Sequence, residues 1–357
     1  MRILIAPLDW GLGHATRCIP IVRYLLEKKC EVIIGAEGRP LQLLQKEFPL
    51  CQFVKINGYN ISYPKNGSMV LKMASQIPKI LSGIKKEHEL LEKIIKEKKI
   101  DAVISDNRFG LWSREVPCVF ITHQMMIKSP FGEKLIHKLN KNYVSKYSEC
   151  WVPDTGGENN LSGDLAHKFP LPKNAKYVGV LSRFIKGPLD SARGDKFRND
   201  ILVILSGPEP QRTIFEKNIL EQAVQINKNI FIIQGITEKD ARNKISKNVE
   251  MVSHLTSEEL QKEIYSSEII LSRPGYSSVM DLAVMEKRAI FVPTPGQTEQ
   301  EYLAKYFSDK KIAYSVSQKE FDLQTALKES EKYSGFTEKY SGEEFKKAAD
   351  EFILSLK

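Results

Sequence analysis

The chain has 357 residues, 42% of them hydrophobic, which is more than one compact domain usually holds and enough to fill two buried cores. A formal net charge of +9 favours an anionic partner without choosing among nucleotide-sugar, acidic lipid and nucleic acid. Cys18, Cys30, Cys51, Cys118 and Cys150 form no C-x-x-C pair and no metal-ligand spacing, which excludes a disulfide scaffold and makes the reducing cytoplasm the expected compartment.

The first ten residues carry one basic side chain and a short apolar run that Pro7 and Asp9 interrupt, so they fit a first strand and not a signal peptide. Apolar runs of strand length follow at residues 31–35, 52–56, 102–105, 118–122 and 150–152, separated by stretches of helical period such as 18–28 and 90–98. That alternation predicts a parallel α/β sheet. Between residues 65 and 99, Met69, Val70, Leu71, Met73, Ile77, Ile80, Leu81 and Ile84 interleave with Lys72, Lys79, Lys85 and Lys86. The segment reads either as an amphipathic helix pair covering the sheet or as a basic apolar face for an anionic bilayer. Nucleic acid is not an expected partner, because the basic residues are not interleaved with aromatics and no reader motif occurs. No run approaches membrane-spanning length.

Residues 153–173 are rich in Gly, Pro, Asn and Asp, and the strand pattern restarts at 176–181. It continues through 201–205, 230–234, 249–252, 269–271 and 289–292. The expected organisation is two Rossmann-like domains, 1–172 and 173–341, with a hinge near 170–176, a surface loop over 186–199 and a last helix over 342–357.

The first strand runs into Asp9-Trp10-Gly11-Leu12-Gly13-His14-Ala15-Thr16-Arg17, so a glycine turn delivers His14 to the start of the next helix. Strand ends of this kind are where open α/β sheets bind ligands, although such turns also serve as packing devices. With Glu37 after the second strand, Gly11 and Gly13 suggest a dinucleotide fingerprint, which fails because Thr16 stands where the third glycine belongs. Asp106 follows the strand at 102–105, and His123 with Gln124 follows the one at 118–122. His88, His137, His167 and His254 read as helix-surface or loop residues.

In the second half, the strand at 201–205 leads into Ser206-Gly207-Pro208 and a helix bearing Arg212, which either carries charge to a diphosphate or is simply solvated. Thr256 and Glu259 form a capping box for a helix at 257–265. Residues 271–281 read Leu-Ser-Arg-Pro-Gly-Tyr-Ser-Ser-Val-Met-Asp, a strand, a tight turn and a helix start. The helix start offers N–H donors and partial positive charge to a phosphate, and Ser277 and Ser278 add hydroxyls. Asp281, four residues after Ser277 and so on the same helical face, can accept hydrogen bonds from a ribose diol.

Residues 272–300 resemble the donor-binding segment of the GT-B glycosyltransferases of the family-28 type, the group of the peptidoglycan N-acetylglucosaminyltransferases and, more distantly, the UDP-glucuronosyltransferases. Their Ser-Arg-x-Gly turn matches Ser272, Arg273 and Gly275, their two following hydroxyl positions match Ser277 and Ser278, and their ribose-binding Glu falls on Asp281. Their Asp-Gln pair, which holds the donor sugar's hydroxyls, falls on Glu299 and Gln300. Asp and Glu are exchanged at both carboxylate positions. Gly207 matches their glycine-rich donor loop, with Pro208 where a second glycine is common, and Leu255 falls where they bind the uracil edge. Gly11, Gly13, His14 and Arg17 resemble their N-terminal loop, which faces the cleft.

The resemblance implies a GT-B architecture, two Rossmann-like domains whose parallel sheets face across a cleft. The first domain would bind the acceptor and the second the nucleotide-sugar, with the last helix packed back on the first. Transfer to a hydroxyl needs a general base near neutral pH, a role that suits His14, and Asp106 could orient its ring. Gly13, Arg17 and His123 are the acceptor-side candidates. The implied reaction is inverting transfer of a hexose or N-acetylhexosamine from a UDP-sugar, with no cofactor. No metal is expected, because no Asp-x-Asp occurs and the helix at Ser277 with Arg273 or Arg212 could hold the leaving diphosphate. Candidate acceptor loops at 57–67 and 123–132 carry Tyr59, Asn60, Tyr63 and Phe131. The basic segment would suit a lipid-linked or cell-envelope acceptor and peripheral contact with the inner face of the membrane. Hydrolysis or 2-epimerisation of a UDP-sugar, and non-catalytic sugar-nucleotide binding, stay open as alternatives.

Overall fold

Apolar runs that the sequence writes without alternation become strands buried on both faces, as parallel sheets require. The computed structural model describes residues 1–59, 75–128, 133–184 and 198–357. Met69, Val70, Leu71, Lys72 and Met73, the loop residues Asn60, Tyr63 and Phe131, and most of the loop at 186–199 lie outside the described residues. The chain packs as two units, Met1–Arg183 with Tyr340–Lys357, and Phe184–Lys339.

In the first unit, β1 (Arg2–Pro7), β2 (Glu31–Ala36), β3 (Gln52–Lys55), β4 (Ala102–Asp106), β5 (Cys118–Ile121), β6 (Glu149–Val152) and β7 (Ala175–Tyr177) form a parallel sheet ordered β3-β2-β1-β4-β5-β6-β7. Ile3, Leu4 and Ile5 of β1 and Ala102, Val103 and Ile104 of β4 are all fully buried. The covering helices are α1 (Leu12–Glu27), α2 (Gly38–Glu47), α3 (Ile77–Lys98), α4 (Glu133–Val144) and the short α5 (Asp164–His167). Ala15, Cys18, Ile19, Val22 and Leu25 recur at helical spacing and are the face that α1 buries. Because the chain builds outward from β1 to β3 and then crosses to β4 on the other side, a crevice opens between the ends of β1 and β4.

The strand read as the restart of the pattern at 176 closes this first sheet, pairing Cys150 with Ala175 and Val152 with Tyr177. The Gly- and Asn-rich stretch before it is a folded loop and not a linker. Buried Asp154 accepts the N–H groups of Thr155 (2.8 Å), Leu161 (2.9 Å) and Ser162 (2.9 Å), and its Oδ2 lies 3.1 Å from His167 Nε2. Burial would raise this carboxyl, but the surrounding donors hold it below the usual carboxylate range.

The second unit repeats the plan with β8 (Asn199–Ile204), β9 (Ile230–Ile233), β10 (Arg242–Lys244), β11 (Val249–Val252), β12 (Ser267–Ser272), β13 (Arg288–Phe291) and β14 (Tyr314–Ser315). Their order is β10-β11-β9-β8-β12-β13-β14, parallel except for β10 against β11. Its helices are α6 (Gln211–Ala223), α7 (Ser257–Tyr265), α8 (Tyr276–Val284), α9 (Thr298–Asp309) and α10 (Leu323–Ser330). The expected capping box starts α7, with Thr256 N–H donating to Glu259 at 2.9 Å and Glu259 N–H returning to Thr256. Here the crevice lies between β8 and β12. The last helix, α11 (Glu343–Ser355), belongs to the first unit, where Phe345 and Phe352 meet the buried Trp151 edge-on at 6.0 and 5.8 Å.

Candidate active site

Pro7 at the end of β1 is in register with Asp106 at the end of β4, so the turn after β1 and Asp106 share one crevice. Gly11 makes that turn at φ 98°, a left-handed value that side chains rarely adopt, and a Cβ there would meet nothing within 4 Å. The backbone therefore requires the glycine, and the space in front of the turn is open. His14 follows in the first turn of α1 with Nδ1 2.7 Å from Asp106 Oδ1.

Arg17, one turn further along α1, donates its Nε–H to Asp106 Oδ2 at 2.7 Å and Nη2 to Oδ1, while Nη1 lies 2.9 Å from His123 Nδ1. Burial alone would raise the Asp106 carboxyl, but the Arg17 guanidinium and the His14 ring outweigh it and hold the value at about 2. An ionised Asp106 takes the Nδ1 hydrogen of His14 and leaves Nε2 as the basic nitrogen. Arg17 Nη2 also stands 3.0 Å from His14 Nδ1, but a guanidinium can only donate and that nitrogen already carries a hydrogen, so this is a close approach and not a bond. The side chains of Arg17 and Asp106 are 1% and 0% exposed, whereas that of His14 is 16% exposed. Only His14 of the three reaches the surface.

A second buried ion pair, missed in the sequence, braces the same crevice. Arg108 pairs with Glu87 of α3 and donates to the Pro7 carbonyl (3.1 Å) and the Asn57 carbonyl, while Glu87 also accepts from Tyr59 Oη at 2.7 Å and from the Gly110 N–H at 2.9 Å. Nothing in the order of residues links position 87 to 108.

In the second unit, Gly275 caps α8, whose first intrahelical bond runs from Val279 N–H to the Gly275 carbonyl. Tyr276, Ser277 and Ser278 precede that bond, and a Cβ on Gly275 would meet nothing within 4 Å. The helix mouth therefore opens on space, with Ser277 and Ser278 half-buried beside it. Gly207, at φ 104°, turns after β8 so close to the loop after β13 that a Cβ there would lie 3.4 Å from Thr294 Oγ1. The hydroxyls of Thr294 and Ser272 are buried and have no hydrogen-bond partner among the described residues. Among the described residues, no group of three or more His, Cys, Asp or Glu side chains could hold a metal ion, and no helix is long and apolar enough to cross a membrane.

In fold, the chain matches the crystal structure of the glycotransferase of kitacinnamycin with a TM-score of 0.65, covering 100% of this chain and 99% of that one at 13% identity. A Methanosarcina acetivorans protein described as an uncharacterized glycosyltransferase is 24% identical over 332 residues, 84% of this chain and 82% of its own. The UDP-N-acetylglucosamine--N-acetylmuramyl-(pentapeptide) pyrophosphoryl-undecaprenol N-acetylglucosamine transferase of Histophilus somni is 28% identical over 329 residues, 87% of this chain and 83% of its own. Residues 201–352 match the Glycosyltransferase family 28 C-terminal domain. The chain has the GT-B fold, and its second half is similar to the C-terminal domain of family 28.

Within this fold, several residues that the sequence assigns to ligand contact are bonded to the protein's own groups. Arg212 is 5% exposed and paired with Glu209 and Glu216, both at 2.6 Å, so its charge is already balanced within the protein. Arg273 is fully buried, 4.1 Å from the Phe215 ring centre, and donates to the carbonyls of Val292 (2.8 Å), Pro293 (3.0 Å) and Gln211 (3.3 Å). Burial pushes its pKa down to about 9. It ties the end of β12 to the loop after β13 and to the start of α6. Gln300 Oε1 accepts the Thr294 N–H at 2.8 Å and so shapes the proline loop. On the other unit, Arg17 and His123 stand behind His14 and not in front of it. Gly13 is exposed beside His14, Leu255 is half-buried just before the Thr256 cap, Glu299 is half-buried in the first turn of α9, and Asp281 is 5% exposed on α8.

Proposed function

We propose that this glycosyltransferase moves a hexose or N-acetylhexosamine from a UDP-sugar to a hydroxyl acceptor, with inversion at the anomeric carbon and without a metal. The observation that carries the reading is an imidazole held by an ionised carboxylate, His14 on Asp106, at a strand end. In this reading His14 Nε2 takes the acceptor proton as the hydroxyl oxygen attacks the anomeric carbon, and Asp106 stabilises the imidazolium that forms. UDP leaves from the opposite face, its charge met by the α8 amides and by the hydroxyls of Ser277 and Ser278 around Gly207 and Gly275. Asp281 would take the ribose, Leu255 would border the base, and Glu299 would face the donor sugar, with Gln300 holding the proline loop beside it.

The first unit is proposed to bind the acceptor and the second the donor. The Histophilus somni relative, whose name gives a UDP-N-acetylglucosamine donor and a pyrophosphoryl-undecaprenol acceptor, supports a lipid-linked acceptor here. On α3, Ile77 and Leu81 are exposed beside Lys79 and Lys85, which supports contact with the anionic inner face of a membrane from the cytoplasm.

Thermal unfolding with millimolar UDP, dTDP and GDP tests the donor, since a ligand that binds only the folded state raises Tm by mass action. UDP is expected to shift Tm most, and no shift with any of the three sinks the reading. A donor screen by mass spectrometry then names the sugar. His14→Ala is expected to keep the UDP shift and lose transfer by about 10²–10⁴-fold, and unchanged turnover would remove His14 as the base.

A further inference from the structure

Two buried carboxylates of the first unit are fixed in different ways. Asp154 is held by backbone, since the N–H groups of Thr155, Leu161 and Ser162 all end on it. Asp106, 0% exposed, is held among the described residues by side chains alone. All of them stand on one face of α1, where His14, Arg17 and Cys18 are spaced i, i+3 and i+4. Arg17 gives Nε–H to Oδ2 and Nη2–H to Oδ1, and His14 Nδ1 shares Oδ1 at 2.7 Å. The Cys18 thiol, whose pKa burial pushes up so that it keeps its hydrogen, points at Oδ2 from 3.9 Å. A carboxylate offers about four lone-pair positions, and these four donors account for them.

Arg17 is equally confined. It is 1% exposed, and its third nitrogen, Nη1, lies 2.9 Å from Nδ1 of the buried His123, just past the end of β5. A guanidinium only donates, so His123 Nδ1 is the acceptor and the fork is braced from β5 while it grips the end of β4. A planar fork on both oxygens fixes the plane of a carboxylate, which an ammonium, a point charge, does not. Stability alone is a weak reason for such a pair, because well-packed apolar residues of the same volume often serve a buried site as well.

We propose that Arg17 is a positioning residue, whose fork, braced by His123, holds the Asp106 carboxylate in the one plane that aims Oδ1 at His14 Nδ1, so that the ring hydrogen stays on Nδ1 and Nε2 stays free. The inference rests on the proposed role of His14 as the base and deepens it: Arg17 and His123 serve the imidazole from behind and do not bind the acceptor.

The tautomer tests it without turnover. In the full chain carrying isotope-labelled histidine, long-range proton–nitrogen NMR at a pH of about 9, above the ordinary histidine range, reads which ring nitrogen holds the hydrogen, and His14→Gln identifies the His14 signals. The unaltered protein should show the Nδ1–H form alone. Arg17→Lys keeps the charge, loses the fork and should give a mixture of the Nδ1–H and Nε2–H forms. With UDP-glucose or UDP-N-acetylglucosamine as donor, whichever is turned over, it should lower kcat about 10²-fold and leave the donor KM and the UDP-induced Tm shift as they were. If Arg17→Lys fails to fold, His123→Leu decides, since it removes the nitrogen that Nη1 meets and should also mix the tautomers. An Nε2–H form in the unaltered protein overturns the clamp, and so does a lowered Tm with the tautomer and the kcat of the folded fraction unchanged. Mixed tautomers in the variant of a chain that turns over neither donor, and whose Tm UDP does not move, would keep the clamp and sink the transferase reading.

Discussion

Asp106→Asn removes one negative charge and almost no volume, so its effect measures what that charge does. The folded carboxyl titrates at about 2 against an ordinary 3.8, a difference of nearly two units that is worth about 2 kcal/mol at neutral pH. Because the folded value is the lower one, this stability is complete above pH 4 or so and is lost as pH falls through about 2. The substitution does more than cancel it, since Arg17, 1% exposed, loses the carboxylate that its Nε and Nη2 hold. Breaking a buried pair from one side costs about 3–5 kcal/mol. For a unit of this size each kcal/mol moves Tm by roughly 2–4 °C, which puts the expected drop near 10 °C.

Trp10, Trp112 and Trp151 all lie within Met1–Arg183, so tryptophan fluorescence follows this unit apart from the other. Adding Arg17→Met to Asp106→Asn should recover part of the loss, because no orphaned charge then remains. If the single variant melts with the unaltered protein, or if the double variant melts lower than the two single losses added, the account of a buried, mutually dependent pair is wrong.

Gly275→Ala should leave Tm unchanged, since Gly275 has an ordinary φ of −71° and its Cβ would meet nothing, yet the new methyl stands before the α8 amides and should weaken UDP by about tenfold in calorimetric titration. Equal UDP affinity would move the diphosphate elsewhere. Arg273→Met should do the reverse, lowering stability by about 2–4 kcal/mol through the carbonyls it abandons while changing UDP affinity little in the folded fraction. Lost affinity at unchanged Tm would return the guanidinium to the diphosphate.

The parallel sheets are legible because their strands are unbroken apolar runs, and so are the strand-end positions of His14, Asp106, Gly207 and Gly275, which follow from those runs. Side-chain direction was not. Arg212 offered a warning in Glu209 and Glu216, three residues before and four after it, a spacing at which helix charges pair. Arg273 offered none, because the carbonyls it holds lie 19, 20 and 62 residues away in the chain. Glu87 and Arg108 are invisible for the same reason. Residues 175–177 misled because an edge strand that follows a Gly- and Asn-rich loop looks like a new beginning, when Asp154 has folded that loop onto the sheet it came from.

Trp151 lies in the middle of the chain, but Phe345 and Phe352, which cover it, are about two hundred residues further on. During synthesis, residues 184–339 are continuous and can condense as soon as they emerge, whereas the unit that began first waits with an indole uncovered until the final helix arrives. The order of completion is the reverse of the order of translation, and a ribosome-stalled fragment ending before Tyr340 would hold a finished second unit beside an unfinished first.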